Sequence, residues 1–201
     1  MVQVFQESTQ PIERFSLPES PSNLQSAPVI IRTALQEATT ALNTAGVENA
    51  AANAEWLMAE VLGCPRPELP LHWSETLEAT QIQRWQSLVD GRVDRIPLQH
   101  LLGTAEFCGL AFEINSSVLV PRPETELLAE AAWAVAAIKE ESVVLDIGTG
   151  SGCLAVSVAV HAEETTIHAL DISTAAINVA RANAERHGVA ERIIFHEGDA
   201  R

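Results

Sequence analysis

A chain of 201 residues, 47% hydrophobic and 19% charged, has material for one ordinary domain or two small ones and is too apolar to be disordered throughout. Its formal charge of −15, with Lys139 as the only lysine, would repel a polyanion, which argues against direct nucleic-acid binding. Apolar stretches such as the one from Ala129 to Ile138, itself interrupted by Glu130, are at most about half the ~20 residues a spanning helix needs, so no membrane segment is expected.

Residues 1–27 mix Gln, Ser, Pro and Glu, with three glutamates against one arginine, which fits neither a secretory signal nor a transit peptide. The reading is a disordered polar tail on a cytoplasmic protein. From Pro28 to about Gly91 the apolar period is helical, with Ile30, Ile31, Leu35, Ala38 and Leu42 on one stripe and Ala54, Leu57, Met58, Val61 and Leu62 on the next. Gly46 and the run Gly63-Cys64-Pro65 end these helices, and Ile82, Trp85, Leu88 and Val89 resume the period. Trp56, Trp73 and Trp85 are read as packing residues of this bundle.

From Pro97 to Pro123 the pattern alternates, with Phe107, Leu110, Phe112 and Ile114 flanking the turn material Cys108-Gly109, and predicts a hairpin connector. Thr125 reads as the cap of a helix over 126–139 whose apolar face is Leu127, Leu128, Ala131, Ala132 and Val135. Strands are expected at 142–147, 166–170 and 192–196, with helices at 153–160 and 174–187 between them. That order implies a parallel sheet. The expected layout is a tail at 1–27, a helical domain at 28–95, a hairpin linker at 96–123 and a cofactor-binding α/β domain at 124–201.

Chemistry concentrates in Val143-Val144-Leu145-Asp146-Ile147-Gly148-Thr149-Gly150-Ser151-Gly152, an apolar strand that opens into alternating glycines before a helix. Bare backbone at Gly148, Gly150 and Gly152 permits a tight turn and close approach of a ligand. The loop alone fits a dinucleotide or S-adenosylmethionine. Its GxGxG spacing, with Cys153 where the third dinucleotide glycine would stand, favours S-adenosylmethionine over NAD. Asp171 at the end of the second strand is placed to accept ribose hydroxyls. Asp199, after the third, is placed to accept the adenine amino group. Cys64, Cys108 and Cys153 read as buried free thiols. His72, His100, His161, His168, His187 and His196 lack metal-ligand spacing, so no metal is expected.

Four stretches carry a resemblance: 53–64 (NAEWLMAEVLGC), 97–103 (PLQHLLG) with Glu106-Phe107, 119–126 (LVPRPETE), and the glycine loop with Asp171. Together they resemble the release factor glutamine methyltransferases of the PrmC/HemK type. The resemblance implies an N-terminal helical bundle that recognises a peptide chain release factor, a β-hairpin linker, and the first half of a Rossmann-like class I methyltransferase sheet. It also implies S-adenosyl-L-methionine as cofactor and N-methylation of the glutamine of a Gly-Gly-Gln motif. The cofactor positions it implies are Gly148, Thr149, Gly150, Ser151, Gly152, Asp171, Asp199 and Ala200. Ala200 stands where many relatives place a larger side chain, and Asn53 where an acid is common.

The Asn-Pro-Pro-Tyr motif that holds the substrate amide in that family does not occur in these 201 residues, which contain no tyrosine, so no catalytic residue is assigned. A non-catalytic module that binds a release factor or the cofactor is the alternative. In the family's strand order, 3-2-1-4-5-7-6, the first strand is central. The expectation is therefore that Val143 to Ile147 has a bare apolar edge, as in a fragment or in a chain that needs a partner.

Overall fold

The computed structural model describes residues 28–138 and 141–200, and the expected tail at 1–27 lies outside them. The chain forms two compact units, one ending at Leu101 and the other beginning at Leu102.

The first unit is helical. Helix α1 (Ile31–Thr44) buries Ile31, Ala34, Ala38 and Leu42, and α2 (Ala50–Leu62) buries Ala54, Leu57, Met58 and Val61 against it. Gly63 stops α2 at φ 66°, a left-handed conformation that costs glycine little. A 3-10 turn at Arg66–Glu68 leads into the short α3 (Leu69–His72), and α4 (Ala79–Val93) inserts Trp85 and Val89, both fully buried. Gln81 Oε1 accepts the Glu78 N–H at 2.9 Å and closes the start of α4. Buried Asn53 joins α2 to α4. Its amide donates to the carbonyls of Glu48 and Asn49 at 3.1 Å, while its oxygen accepts Arg92 Nε at 2.8 Å. An amide can both donate and accept, and this position needs both.

Two of the three tryptophans expected in the core are outside it. Only Trp85 is buried, whereas Trp56 and Trp73 are 45% and 41% exposed. Trp56 falls between the buried positions Ala54 and Leu57 and so points off the packed stripe of α2. Arginines cover the two rings instead, Arg66 over Trp56 at 5.5 Å and Arg32 over Trp73 at 5.7 Å.

Helix α5 (Leu98–Leu102) occupies part of the span expected to be hairpin. The hairpin follows as β1 (Thr104–Phe107) and β2 (Leu110–Glu113), antiparallel, with Phe107 paired to Leu110. Cys108 (φ 50°) and Gly109 (φ 72°) form the two-residue loop, both in the left-handed conformation such tight hairpins require. Phe107 and Phe112 are buried edge to face, 6.2 Å apart.

Helix α6 (Pro123–Ala136) starts two residues before the expected cap: Pro123 takes the first helical position, where its missing N–H costs nothing, and Thr125 lies inside the helix. Its expected apolar face is inverted. Leu127, Leu128 and Val135 are 59–70% exposed, while Ala129 and Ala136 are buried with Ala132 and Trp133 beside them. Small side chains let α6 lie close to its neighbour α7 (Cys153–His161), and Trp133 stacks on His161 at 4.1 Å.

Strands β3 (Val143–Ile147), β4 (Thr166–Asp171) and β5 (Ile193–Glu197) form a parallel sheet in that order, with α7 and α8 (Thr174–Arg186) as the crossovers. One face packs Ile167, Ala169 and Ile193 against Ala155, Val156, Ala159 and Ala184. The other face is open, with Val143 68%, Leu145 59%, Ile147 59% and Ile194 45% exposed. Among the described residues β3 pairs only with β4, so one of its edges is free.

Candidate cofactor site

The parallel order brings three strand ends together at one edge of the sheet: Asp146 with the glycine loop after β3, Asp171 after β4, and Glu197 to Ala200 after β5. Loop and second strand are joined directly. Gly148 N and Thr149 N donate to the Leu170 carbonyl at 2.8 and 3.0 Å, and Gly150 N donates to Asp171 Oδ2 at 2.9 Å. The other Asp171 oxygen accepts Ser173 N at 2.9 Å, and Ser173 caps α8 by accepting Ala176 N. The Asp171 carboxylate therefore organises the loop and the next helix start at once.

The three glycines are required for different reasons. A Cβ on Gly148 would meet nothing within 4 Å, and one on Gly150 only the Gly148 oxygen at 4.0 Å. That is open backbone on which a ligand can lie. A Cβ on Gly152 would sit 2.9 Å from the Ala180 Cβ, so this glycine serves the packing of the loop against α8.

Thr149 and Ser151, both singled out from sequence, turn inward and are buried. Thr149 Oγ1 donates to Asp146 Oδ2 at 2.7 Å, and the Ser151 carbonyl accepts Asn183 Nδ2 at 2.9 Å. They shape the loop from within, and neither side chain is on its surface. Asp199 and Ala200 are exposed at the end of the third strand, and Gly198 N is tied to the Asp171 carbonyl at 3.0 Å.

Two residues that hold the site together were not assigned roles from sequence. Buried Asp146 accepts from Thr149 and from the Ala155 amide at the start of α7. Burial pushes its carboxyl above the ordinary range; those two hydrogen bonds pull it back and nearby Asp171 raises it further. Fully buried Asn183, on α8, accepts Glu113 N at 2.7 Å and donates to the carbonyls of Glu113 and Ser151, both at 2.9 Å. It thereby links the hairpin, the glycine loop and α8. The only signal for it was a polar residue on the buried alanine stripe of α8.

The rim is acidic. Asp171, Glu197 and Asp199 stand at the strand ends with buried Asp146 behind them, and no lysine or arginine lies within 146–152, 171–173 or 197–200, Arg201 following directly in sequence. Such a rim suits hydroxyl, amino and cationic groups and opposes a pyrophosphate. The cysteines are half-buried rather than buried. All three are free, with burial raising each thiol, Cys153 to about 11. No cluster of His, Cys, Asp or Glu among the described residues has the makings of a metal site, and none of their helices is long and apolar enough to cross a membrane. Two clefts in this unit, of about 660 Å³ between α6 and β3 and about 590 Å³ between the hairpin and α8, include no residue of the glycine loop.

Two family models match, the PrmC N-terminal domain over residues 33–103 and a methyltransferase domain over residues 138–201. Among curated relatives, the release factor glutamine methyltransferase of Geobacter sulfurreducens is 42% identical over 153 residues, covering 76% of this chain and 52% of the relative. The enzyme of that name from Mycolicibacterium smegmatis is 42% identical over 77% of this chain and 54% of its own, and that from Moorella thermoacetica 37% over 84% and 60%. The chain thus spans about half the length of the curated relatives it matches. By these matches the chain belongs to the release factor glutamine methyltransferase family.

Proposed function

We propose that the α/β unit binds S-adenosyl-L-methionine and that the protein serves the N-methylation of a release-factor glutamine. The observation that carries this reading is the open backbone of Gly148 and Gly150, held by Asp171 inside an acidic rim. The glycine loop would seat the methionine part of the cofactor, Asp171 the ribose hydroxyls, and Asp199 with Ala200 the adenine. A sulfonium cation and an ammonium both suit the carboxylates of Asp171, Glu197 and Asp199. When bound, the cofactor supplies an electrophilic methyl group. This chain's part is to fix that group in position, since methyl transfer to a weakly nucleophilic amide depends on orientation.

In this reading residues 28–95 recognise the release factor, 96–123 connect, and 124–201 hold the cofactor. A release factor as partner agrees with the net charge of −15, which disfavours nucleic acid as the substrate. The place of action is the cytoplasm, where release factors work.

The test is a calorimetric titration of the chain with S-adenosylhomocysteine, expected to show one saturable site. Asp171→Ala removes a charge-assisted hydrogen bond of about 1.5–3 kcal/mol and should weaken binding roughly tenfold or more. Absence of binding, or an unchanged affinity in Asp171→Ala, sinks the assignment.

A further inference from the structure

The helical unit carries a surface that its own core does not explain. A cleft of about 430 Å³ runs between α1 and α2, and its lining includes Arg32, Leu35, Gln36, Ala51, Trp73 and the Glu55 that Arg66 neutralises. Its size falls in the range of about 300–1,000 Å³ typical of binding pockets. A second cleft, of about 280 Å³, adjoins it and shares Trp73 and Glu55. Trp73 thus stands between two hollows while remaining 41% exposed. Half-exposed tryptophan and arginine are the residue types that dominate binding energy at protein interfaces.

Charge identifies the occupant. Arg66 and Arg84 pair with Glu55 and Glu60, Arg92 is bonded to Asn53 and to the Ile96 carbonyl, and Arg95 to the carbonyls of Ala45 and Gly46. Exposed Arg32, at the mouth of the larger cleft, has only the Trp73 ring beside it among the described residues. A guanidinium with no acceptor among the described residues is a place for a carboxylate such as a protein partner can bring.

Building on the release-factor reading, we infer that this cleft is where the helical unit grips its protein partner. The partner's segment carries an apolar side chain that packs on Trp73 over Leu35 and Ala51, with a neighbouring carboxylate on Arg32.

The test is calorimetric titration of the chain with a purified bacterial release factor. Arg32→Glu should weaken binding at least tenfold. Arg84→Glu, an equal change in charge outside the cleft, should bind as wild type does. Trp73→Ala should lose a similar factor, with a circular dichroism melt to show that it is folded and undiminished S-adenosylhomocysteine binding to show that the other unit is intact. If wild type and Arg32→Glu bind equally, or if Arg32→Glu and Arg84→Glu are equally weakened, the cleft is not the site and the release-factor reading stands. If wild type binds S-adenosylhomocysteine but no release factor, that reading falls and the cleft falls with it.

Discussion

The division of labour among the loop glycines can be tested by adding one methyl group at each. In Gly152→Ala the new Cβ would lie 2.9 Å from the Cβ of Ala180, 3.1 Å from its Cα and 3.4 Å from its carbonyl oxygen, with φ at +77°. The left-handed backbone costs a non-glycine residue about 1–2 kcal/mol, and overpacking against a helix backbone adds about 1–3 kcal/mol. The expected loss is therefore about 2–5 kcal/mol, a large share of the roughly 5–15 kcal/mol that holds a domain together. Gly148→Ala has nearly the same φ, +76°, and nothing within 4 Å. It should lose only the backbone part, about 1–2 kcal/mol, while its methyl group stands where the ligand would lie. Urea unfolding followed by far-UV circular dichroism measures the first quantity, and S-adenosylhomocysteine titration the second. Gly148→Ala should be the more stable and the weaker binder. Adding Ala180→Gly to Gly152→Ala removes the closest contact and should recover about 0.5–3 kcal/mol as coupling between the two sites. Equal destabilisation by Gly148→Ala and Gly152→Ala, with no coupling to Ala180, would refute the packing role.

Other consequences follow from the same geometry. Cys153, its thiol raised to about 11, should react with a thiol reagent at pH 8 about a hundredfold more slowly in the native protein than in urea, since only the thiolate attacks; equal rates would contradict its burial. Asn183→Ala strands three backbone groups, at Glu113 and Ser151, and should cost about 2–3 kcal/mol and raise hydrogen exchange at the Glu113 amide; unchanged exchange there would show that the link is idle. For Asp146 burial lifts the native pKa above the unfolded one, so the native state holds its proton more tightly. The stability tied to this group is whole below the ordinary carboxylate range, declines as pH rises from there to the raised value, and is level beyond. The advantage of wild type over Asp146→Asn in urea melts should therefore shrink between pH 4 and pH 7, and a gap that widens would reverse the assignment.

Most of the architecture was legible because local signals and tertiary demands agreed. Cys108-Gly109 between alternating apolar residues specifies a two-residue hairpin loop, and the hairpin is there. The strand, glycine loop and helix order from Val143 onward gives the observed parallel sheet. The misreadings came where several periods fit one segment. In α6 almost every residue from Leu127 to Ala136 is apolar, so no stripe stands out, and the larger side chains looked like the core. The core side is the alanine side, because a close helix neighbour selects for small residues rather than for greasy ones. Asp146, Asn53 and Asn183 could not be read at all. Their partners lie on other elements, and a polar residue on a buried stripe becomes intelligible only when those carbonyls and amides arrive.

The inverted face of α6 and the open face of the sheet are one phenomenon. A strand of a parallel sheet reads as a continuous apolar run because both of its faces are meant to be covered, and Val143-Val144-Leu145 is such a run. Here Val144 is partly covered, while Val143, Leu145 and Ile147 are more than half exposed. Leu128 and Val135 are exposed as well, along the groove of about 660 Å³ that Val143 also lines. The pattern in the sequence records what a side chain is built to touch, and its exposure records what the described residues provide. Where the two disagree over adjoining residues of a helix and a strand, the mismatch marks an apolar surface that the described residues leave uncovered. Among the described residues that surface lies along the free edge and the open face of β3.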